Sequence, residues 1–343
     1  MTKIIYKSLA NKGIHGVLFT RGNNEKVGIV LQAGFTPNWS CLEKYIVAIM
    51  KRVNANVISL DLPSHQEWDE EFTFGRAAQE QIKAANHLRK NLGAKIVFGG
   101  GYSFGANSGI FAAANYDVKA ERDYFSKKKS LSVYHKPVFD ALILGGFARD
   151  IKGSVYELIK AIKFDGLIKP VPIAQFIFHR INLSRTINRT NYVKKNYPIQ
   201  LAHFFLRDMK ELESYFSVAK DPRYYIDYLQ VLSSLGDEKA SKTINDFRSI
   251  PKLFILGGKD HHNFSVKDLR GSIDKEKDYE REIEVFGNHK LEFFSRAPHN
   301  LSSTNFFPSS ILYAMHDKRV VNKTVNFIKA VVKKKFGSRK PYK

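Results

Sequence analysis

Gly101-Tyr102-Ser103-Phe104-Gly105 is the stretch whose residue types and spacing can do chemistry. A serine hydroxyl at its ordinary pKa is a weak nucleophile. It becomes a useful one when an adjacent base takes its proton and fixed donors receive the charge on the attacked carbonyl. The pentapeptide is G-x-S-x-G. It stands between Ile96-Val97-Phe98, which reads as a buried strand, and a small-residue run that reads as a helix from near Ala106. So sharp a strand-to-helix turn strains the serine backbone, and only glycine at the flanking positions avoids the neighbouring chain. The turn lifts the Ser103 hydroxyl clear of the sheet and points a helix N-terminus at it, which favours developing negative charge. The run Gly99-Gly100-Gly101 would also suit a purely structural turn, but the strand before it and the helix after it favour the nucleophile.

A nucleophilic serine makes a demand on the later sequence: a base for its proton, and a carboxylate to orient that base. Asp260 follows the strand-like LFILGG, at a carboxyl end where open α/β sheets place their sites. His299 follows LEFFSRA. Serine, acid and histidine therefore occur in the order that a G-x-S-x-G turn uses. Asp150, after the preceding strand, is the alternative acid. His289, His261 and His262 compete with His299, with His289 expected in a hairpin turn and the other two beside the entrance.

The elements that must position these groups follow from periodicity. Residues 3–20 suggest a hairpin and 26–32 a strand; 39–53 have helical spacing, and a strand ends at Asp61-Leu62-Pro63. An amphipathic helix spans 76–92, with Gly93 as its expected C-cap. The nucleophile strand comes next, then a buried strand over 139–147. Strand–helix alternation of this kind argues for a mostly parallel sheet covered on both faces. From about Arg149 to Asp246 only helical pieces appear, and a connection of that length between sheet strands reads as an inserted cap. Strands resume over 252–262. Residues 279–286 and 290–297 suggest two short strands joined at Gly287-Asn288, and a helix closes the chain over 318–335. The expected division is residues 1–148 and 249–335 as one core, 149–248 as the cap, and 336–343 as a basic tail.

Composition narrows the classes. The chain has 343 residues, 43% of them hydrophobic, enough for a large core. Its N-terminus has no apolar run of signal-peptide length, no segment reaches transmembrane length, and the lone Cys41 allows no internal disulfide. A cytoplasmic location is the expectation. The net charge of +22 comes without any helix-turn-helix, zinc-finger or RNA-binding motif, so specific nucleic-acid recognition is not expected. A basic solvated surface explains the charge most simply. Peripheral contact with an anionic membrane, or an anionic substrate, is the sharper alternative. No metal or other cofactor is implied: His261-His262 are adjacent rather than spaced i, i+4, and no Gly-Lys-Ser/Thr ends the glycine run.

Over residues 3–147 and 250–334 the chain resembles an α/β-hydrolase with a helical cap, in the esterase, monoacylglycerol-lipase and serine aminopeptidase-like branch. The likeness rests on Gly-Tyr-Ser-Phe-Gly, on SLDLPSH beside that family's D-x-x-G-H-G loop, and on the Gly-Gly-Lys-Asp and Ala-Pro-His-Asn placements. It implies Ser103 as nucleophile, Asp260 as acid and His299 as base. It also implies an oxyanion hole from the amides of Phe104 and Phe35, with Gly34 beside the latter. The chain departs from the family at Ala33-Gly34, where the family has His-Gly, and at Ser64, where it has glycine. The implied activity is hydrolysis of a carboxylic ester with a hydrophobic acyl group. A thioesterase, an acyltransferase, a peptidase or a non-catalytic protein that binds a partner or anionic lipid would share the core. Within the expected cap, no acidic residue lies between Asp165 and Asp208, while cations such as Arg180 and Arg185 interleave with Phe176, Phe178, Phe204 and Phe205. An amphipathic cap surface accounts for that pattern; an apolar acyl channel with a cationic mouth is the functional alternative.

Overall fold

The computed structural model describes residues 4–22, 25–34, 39–63, 72–126, 137–147, 245–259, 274–298, 301 and 314–337. They form an eight-stranded sheet of β1 (Ile5–Ser8), β2 (Gly16–Thr20), β3 (Val27–Gln32), β4 (Ala55–Leu60), β5 (Ile96–Tyr102), β6 (Ala141–Gly145), β7 (Lys252–Lys259) and β8 (His289–Pro298). The spatial order is β1-β2-β4-β3-β5-β6-β7-β8. β1 and β2 are the expected hairpin, β2 runs antiparallel to β4, and every pairing from β4 through β3 to β8 is parallel.

Alternation along each strand feeds two cores. Val97, Leu142 and Leu144 face the layer of α2 (Phe74–Lys90) and α3 (Phe104–Ala113). Ile96, Phe98, Ala141 and Ile143 face α1 (Glu43–Met50) and the C-terminal helix, which begins at Lys318. Burial on both faces is what a parallel sheet requires, and the near-continuous apolar runs of β3 to β6 follow from it.

Two expectations change. Residues 279–286 are not a strand. After α4 (Val118–Phe125), the next described helices are a single turn at 245–249 and α5 (Lys275–Ile283), which passes into a 3-10 turn at Glu284–Phe286. Tyr279, Ile283 and Phe286 are buried at helical spacing, and the Asp274 carboxylate accepts from the Lys277 amide as N-cap. The short apolar–polar alternation there suits either period; what decides is that β8 runs parallel to β7 and needs a crossover, not a hairpin turn. The second change is at α2, which is capped by Asn91, while Gly93 sits beyond the cap with φ of +69°. The C-terminal helix, α6 (Lys318–Phe336), forms as expected. Of the expected cap, residues 149–244 lie outside the described residues, and 245–249 form the helical turn that leads into β7.

That turn is held by a buried lysine. Lys252, 1% exposed at the start of β7, donates from Nζ to the carbonyls of Phe247 and Ile250, both at 2.7 Å, and lies over the Phe247 ring. Burial, with the charge of Arg248, lowers its pKa to about 7. The unfolded chain keeps lysine near 10.4. Between those values the unfolded state binds the extra proton, so this residue makes stability rise with pH from about 7 to 10. Thermal melts across that range should climb more steeply for the wild-type protein than for Lys252→Met. Parallel curves would show that the ammonium is held charged in the fold.

Candidate active site

Ser103 occupies the junction of β5 and α3 with φ of 54° and ψ of −124°, a conformation that a non-glycine residue adopts only under constraint. The constraint is visible. The Ser103 amide donates to the Gly145 carbonyl at 2.8 Å, and its own carbonyl accepts from Ala106 and Asn107 to open the helix. A Cβ on Gly105 would overlap the backbone oxygens of Gln32 and Ala33, and one on Gly101 would overlap the Gln32 oxygen. The chain can turn here only because both flanking residues lack side chains. The turn holds a serine, itself half-buried, at the carboxyl edge of the sheet.

The helix begins at Phe104, two residues earlier than the sequence suggests, so Phe104 lies in the first turn, whose amides point out of the N-terminal end. Its ring stacks on Phe74 at 5.8 Å and meets Phe72 edge-on at 5.9 Å, within the buried core. Gly34, past the end of β3, lies against the serine: a Cβ there would stand 3.0 Å from the Ser103 Cβ and 3.1 Å from the Tyr102 ring. The loop that follows β3 thus starts beside Ser103. Phe35, named for the second oxyanion amide, lies outside the described residues.

Asp260, His299 and the alternative acid Asp150 also lie outside them, as do His65, His261 and His262. What the described strands do settle is register. β7 and β8 pair to their ends, Lys259 opposite Pro298. These are the residues immediately before Asp260 and His299, and β5 to β8 are parallel, so both strands end on the edge at which Ser103 follows β5. His289 is in a different place. It opens β8 at the amino edge, paired with Lys252, and its Nδ1 lies 2.7 Å from the Gly287 carbonyl. A ten-residue strand at ~3.3 Å per residue puts it roughly 30 Å from the carboxyl end, which removes it as a base for Ser103.

Asp61 and Cys41 have structural surroundings. The Asp61 carboxylate accepts from the Trp39 amide at 2.7 Å and so holds the return of the loop after β3. Cys41 is buried, and burial pushes its thiol well above the usual range. Among the described residues no group of three His, Cys, Asp or Glu side chains is disposed to hold a metal ion, and no helix is long and apolar enough to cross a membrane. Two residues that the motif alone does not reveal are Gln32 and Gln81, both fully buried beneath the turn. Their signal is a polar side chain on a face that is otherwise apolar: Gln81 shares the inner face of α2 with Phe74, Ala77, Ala78, Ala84 and Ala85.

No protein-family model matches the sequence, and no curated protein matches it. Among solved structures the chain is similar to the esterase Pf2001 of Pyrococcus furiosus, at 14% identity over 96% of this chain and 90% of that one, with a TM-score of 0.50. It is also similar to Est1E of Butyrivibrio proteoclasticus, at 13% identity over 96% and 98% of the two chains and a TM-score of 0.48. A third is CarC, a serine hydrolase involved in carbazole degradation, at 13% identity over 96% and 99% and a TM-score of 0.47.

Proposed function

We propose that this chain, which has the α/β-hydrolase fold, is a serine hydrolase that cleaves carboxylic esters of hydrophobic acyl groups. The observation that carries the reading is the left-handed backbone of Ser103, maintained at a strand–helix junction whose flanking glycines touch the neighbouring strand. Strain of this kind costs of order 1–3 kcal/mol and persists where the surroundings enforce it, as at a nucleophile. In the proposed mechanism Ser103 Oγ attacks the acyl carbonyl while His299 takes its proton. Asp260 orients the imidazole and stabilises its cationic form. The amides of Phe104 and Phe35 receive the oxyanion, and Gly34 leaves room for the loop to approach. His299 then returns the proton to the departing alcohol, and water, activated by the same imidazole, cleaves the acyl-enzyme. The shared edge of Lys259 and Pro298 supports this assignment of acid and base, and the name of the similar esterase Pf2001 supports the reaction class. The aromatic content of 149–248 supports an apolar acyl group.

A fluorophosphonate probe tests the reading, since it forms a covalent adduct with an activated serine. Labelling of the native protein at Ser103 is the expected result; an unlabelled native protein leaves the non-catalytic alternative standing. Thioester and peptide-amide analogues compared with matched esters separate the thioesterase and peptidase alternatives.

The surface charge supports peripheral contact with an anionic bilayer. α6 contains no acidic residue. Its Arg319, Lys323 and Lys335 meet Asp317, Glu292 and Asp140, while Lys318, Lys329, Lys333 and Lys334 are exposed. Lysines near an anionic surface contribute about 1 kcal/mol each. Co-sedimentation with phosphatidylserine vesicles should therefore exceed that with phosphatidylcholine vesicles and fall with added salt. Equal binding to both would discard the contact.

A further inference from the structure

Beneath the nucleophile turn, a chain of hydrogen bonds links both halves of the proposed site through two side chains that the reaction itself does not use. Gly100 has φ of +122°, and any Cβ there would overlap the Ile143 carbonyl oxygen. β3 and β5 pair in one register from Val27–Ile96 to Gln32–Gly101. The Gly100 amide donates to Gln81 Oε1 at 3.2 Å. Gln81 Nε2 donates at 3.0 Å both to Gln32 Oε1 and to the Gly105 carbonyl in the first turn of α3. Gln32 Nε2 then donates to the Asp61 carbonyl at 2.9 Å. Asp61 in turn receives the Trp39 amide, at the far end of the loop that starts with Ala33-Gly34.

The orientation of each amide group follows from its partners. A backbone N–H can only donate, so Gln81 must turn its oxygen to Gly100 and its nitrogen to Gly105 and Gln32. Gln32 must then offer its oxygen to Gln81 and its nitrogen to the Asp61 carbonyl. Both side chains are 0% exposed, so no water substitutes for a lost partner without entering the core. One amide thus grips the nucleophile turn from both sides, at Gly100 before Ser103 and at Gly105 after it. The next amide ties that grip to the strand that carries Gly34.

We infer that Gln81 and Gln32 are positioning residues that fix the spacing between the Ser103 turn and the end of β3, where Ala33-Gly34 adjoin that turn. The inference deepens the serine-hydrolase reading and rests on it for its kinetic consequence. Transition-state donors act only when they are held in place beforehand. A misplacement of about 1 Å costs ~10²-fold in rate, while ground-state binding, which depends on other contacts, changes little.

The test compares Gln81→Met, which keeps the length of the side chain and removes all three hydrogen bonds, with Glu80→Gln. The latter changes the adjacent residue of α2, whose carboxylate holds the His15 amide at 2.7 Å and lies away from the turn. Gln81→Met should lower the fluorophosphonate labelling rate and the kcat for a p-nitrophenyl ester by ~30–100-fold, with KM within about twofold of native. Amide hydrogen exchange over 99–107 should accelerate in this variant and stay native in Glu80→Gln, which should label at close to the native rate whatever its Tm. Should Gln81→Met fail to fold, Gln81→Glu takes its place, since a carboxylate still accepts from Gly100 but has no proton for Gln32 or Gly105. A Gln81 variant of lowered Tm but native labelling and native exchange over 99–107 overturns the inference. A native protein inert to the probe removes the serine-hydrolase reading instead, and the exchange measurement then decides whether Gln81 holds the turn.

Discussion

Ser103→Ala is expected to lose ester hydrolysis by ~10⁴-fold or more and to take no fluorophosphonate label, with a melting temperature close to native. Removing a nucleophile leaves only binding and oxyanion stabilisation, which explains the size of the loss. Stability should hold because the substitution keeps the Ser103 backbone hydrogen bonds to Gly145, Ala106 and Asn107. Ser103→Gly should be just as inactive yet melt higher, since glycine adopts a φ of 54° without the penalty that a side chain incurs there. The pair separates function from fold: a turn whose only role is structural would gain stability and lose nothing else. The same assay ranks the two candidate acids. Asp260→Asn should lose ~10²–10⁴-fold in kcat, and Asp150→Asn should stay near native. A reversal moves the acid from the residue after β7 to the segment after β6.

Gly105→Ala is the second large effect, and here two principles oppose each other. Gly105 is helical, and alanine in place of glycine within a helix ordinarily gains about 1 kcal/mol. Against this, the added methyl would meet the Gln32 and Ala33 carbonyl oxygens, which belong to the backbone of β3 and the loop beyond it and cannot rotate away. Overpacking costs about 1–3 kcal/mol even where side chains are able to adjust. The steric term should prevail, with a net loss of about 2 kcal/mol in denaturant unfolding and little remaining ester hydrolysis, because α3 must retreat from the loop that adjoins Ser103. An alanine variant that is more stable and fully active would mean that α3 sits further from β3 than the structure places it.

Much of the architecture was legible in the sequence because it depends on local rules. The strand–helix alternation, the Gly-Tyr-Ser-Phe-Gly turn and the closing helix all follow from side-chain period and from where glycine is obligatory. The short segment 279–286 was not legible. Its apolar positions suit either period over so few residues, and the choice of helix depends on β8 running parallel to β7, a pairing between distant parts of the chain. His289 was misplaced for the same reason: whether it sits in a hairpin turn or at the amino edge depends on which way β8 runs.

By itself, the sequence determined that a serine stands on a strained strand–helix turn, and that an acid and a histidine follow it in the order such a turn uses. Those are properties of neighbours in the chain, encoded by glycine spacing and hydrophobic period. Only the tertiary structure decided that β7 and β8 end on the same edge as β5, that Gly34 closes against Ser103, and that Gln81 spans the turn from Gly100 to Gly105. Strand order and the facing of buried amides are set by packing between segments far apart in sequence, and no local pattern records them.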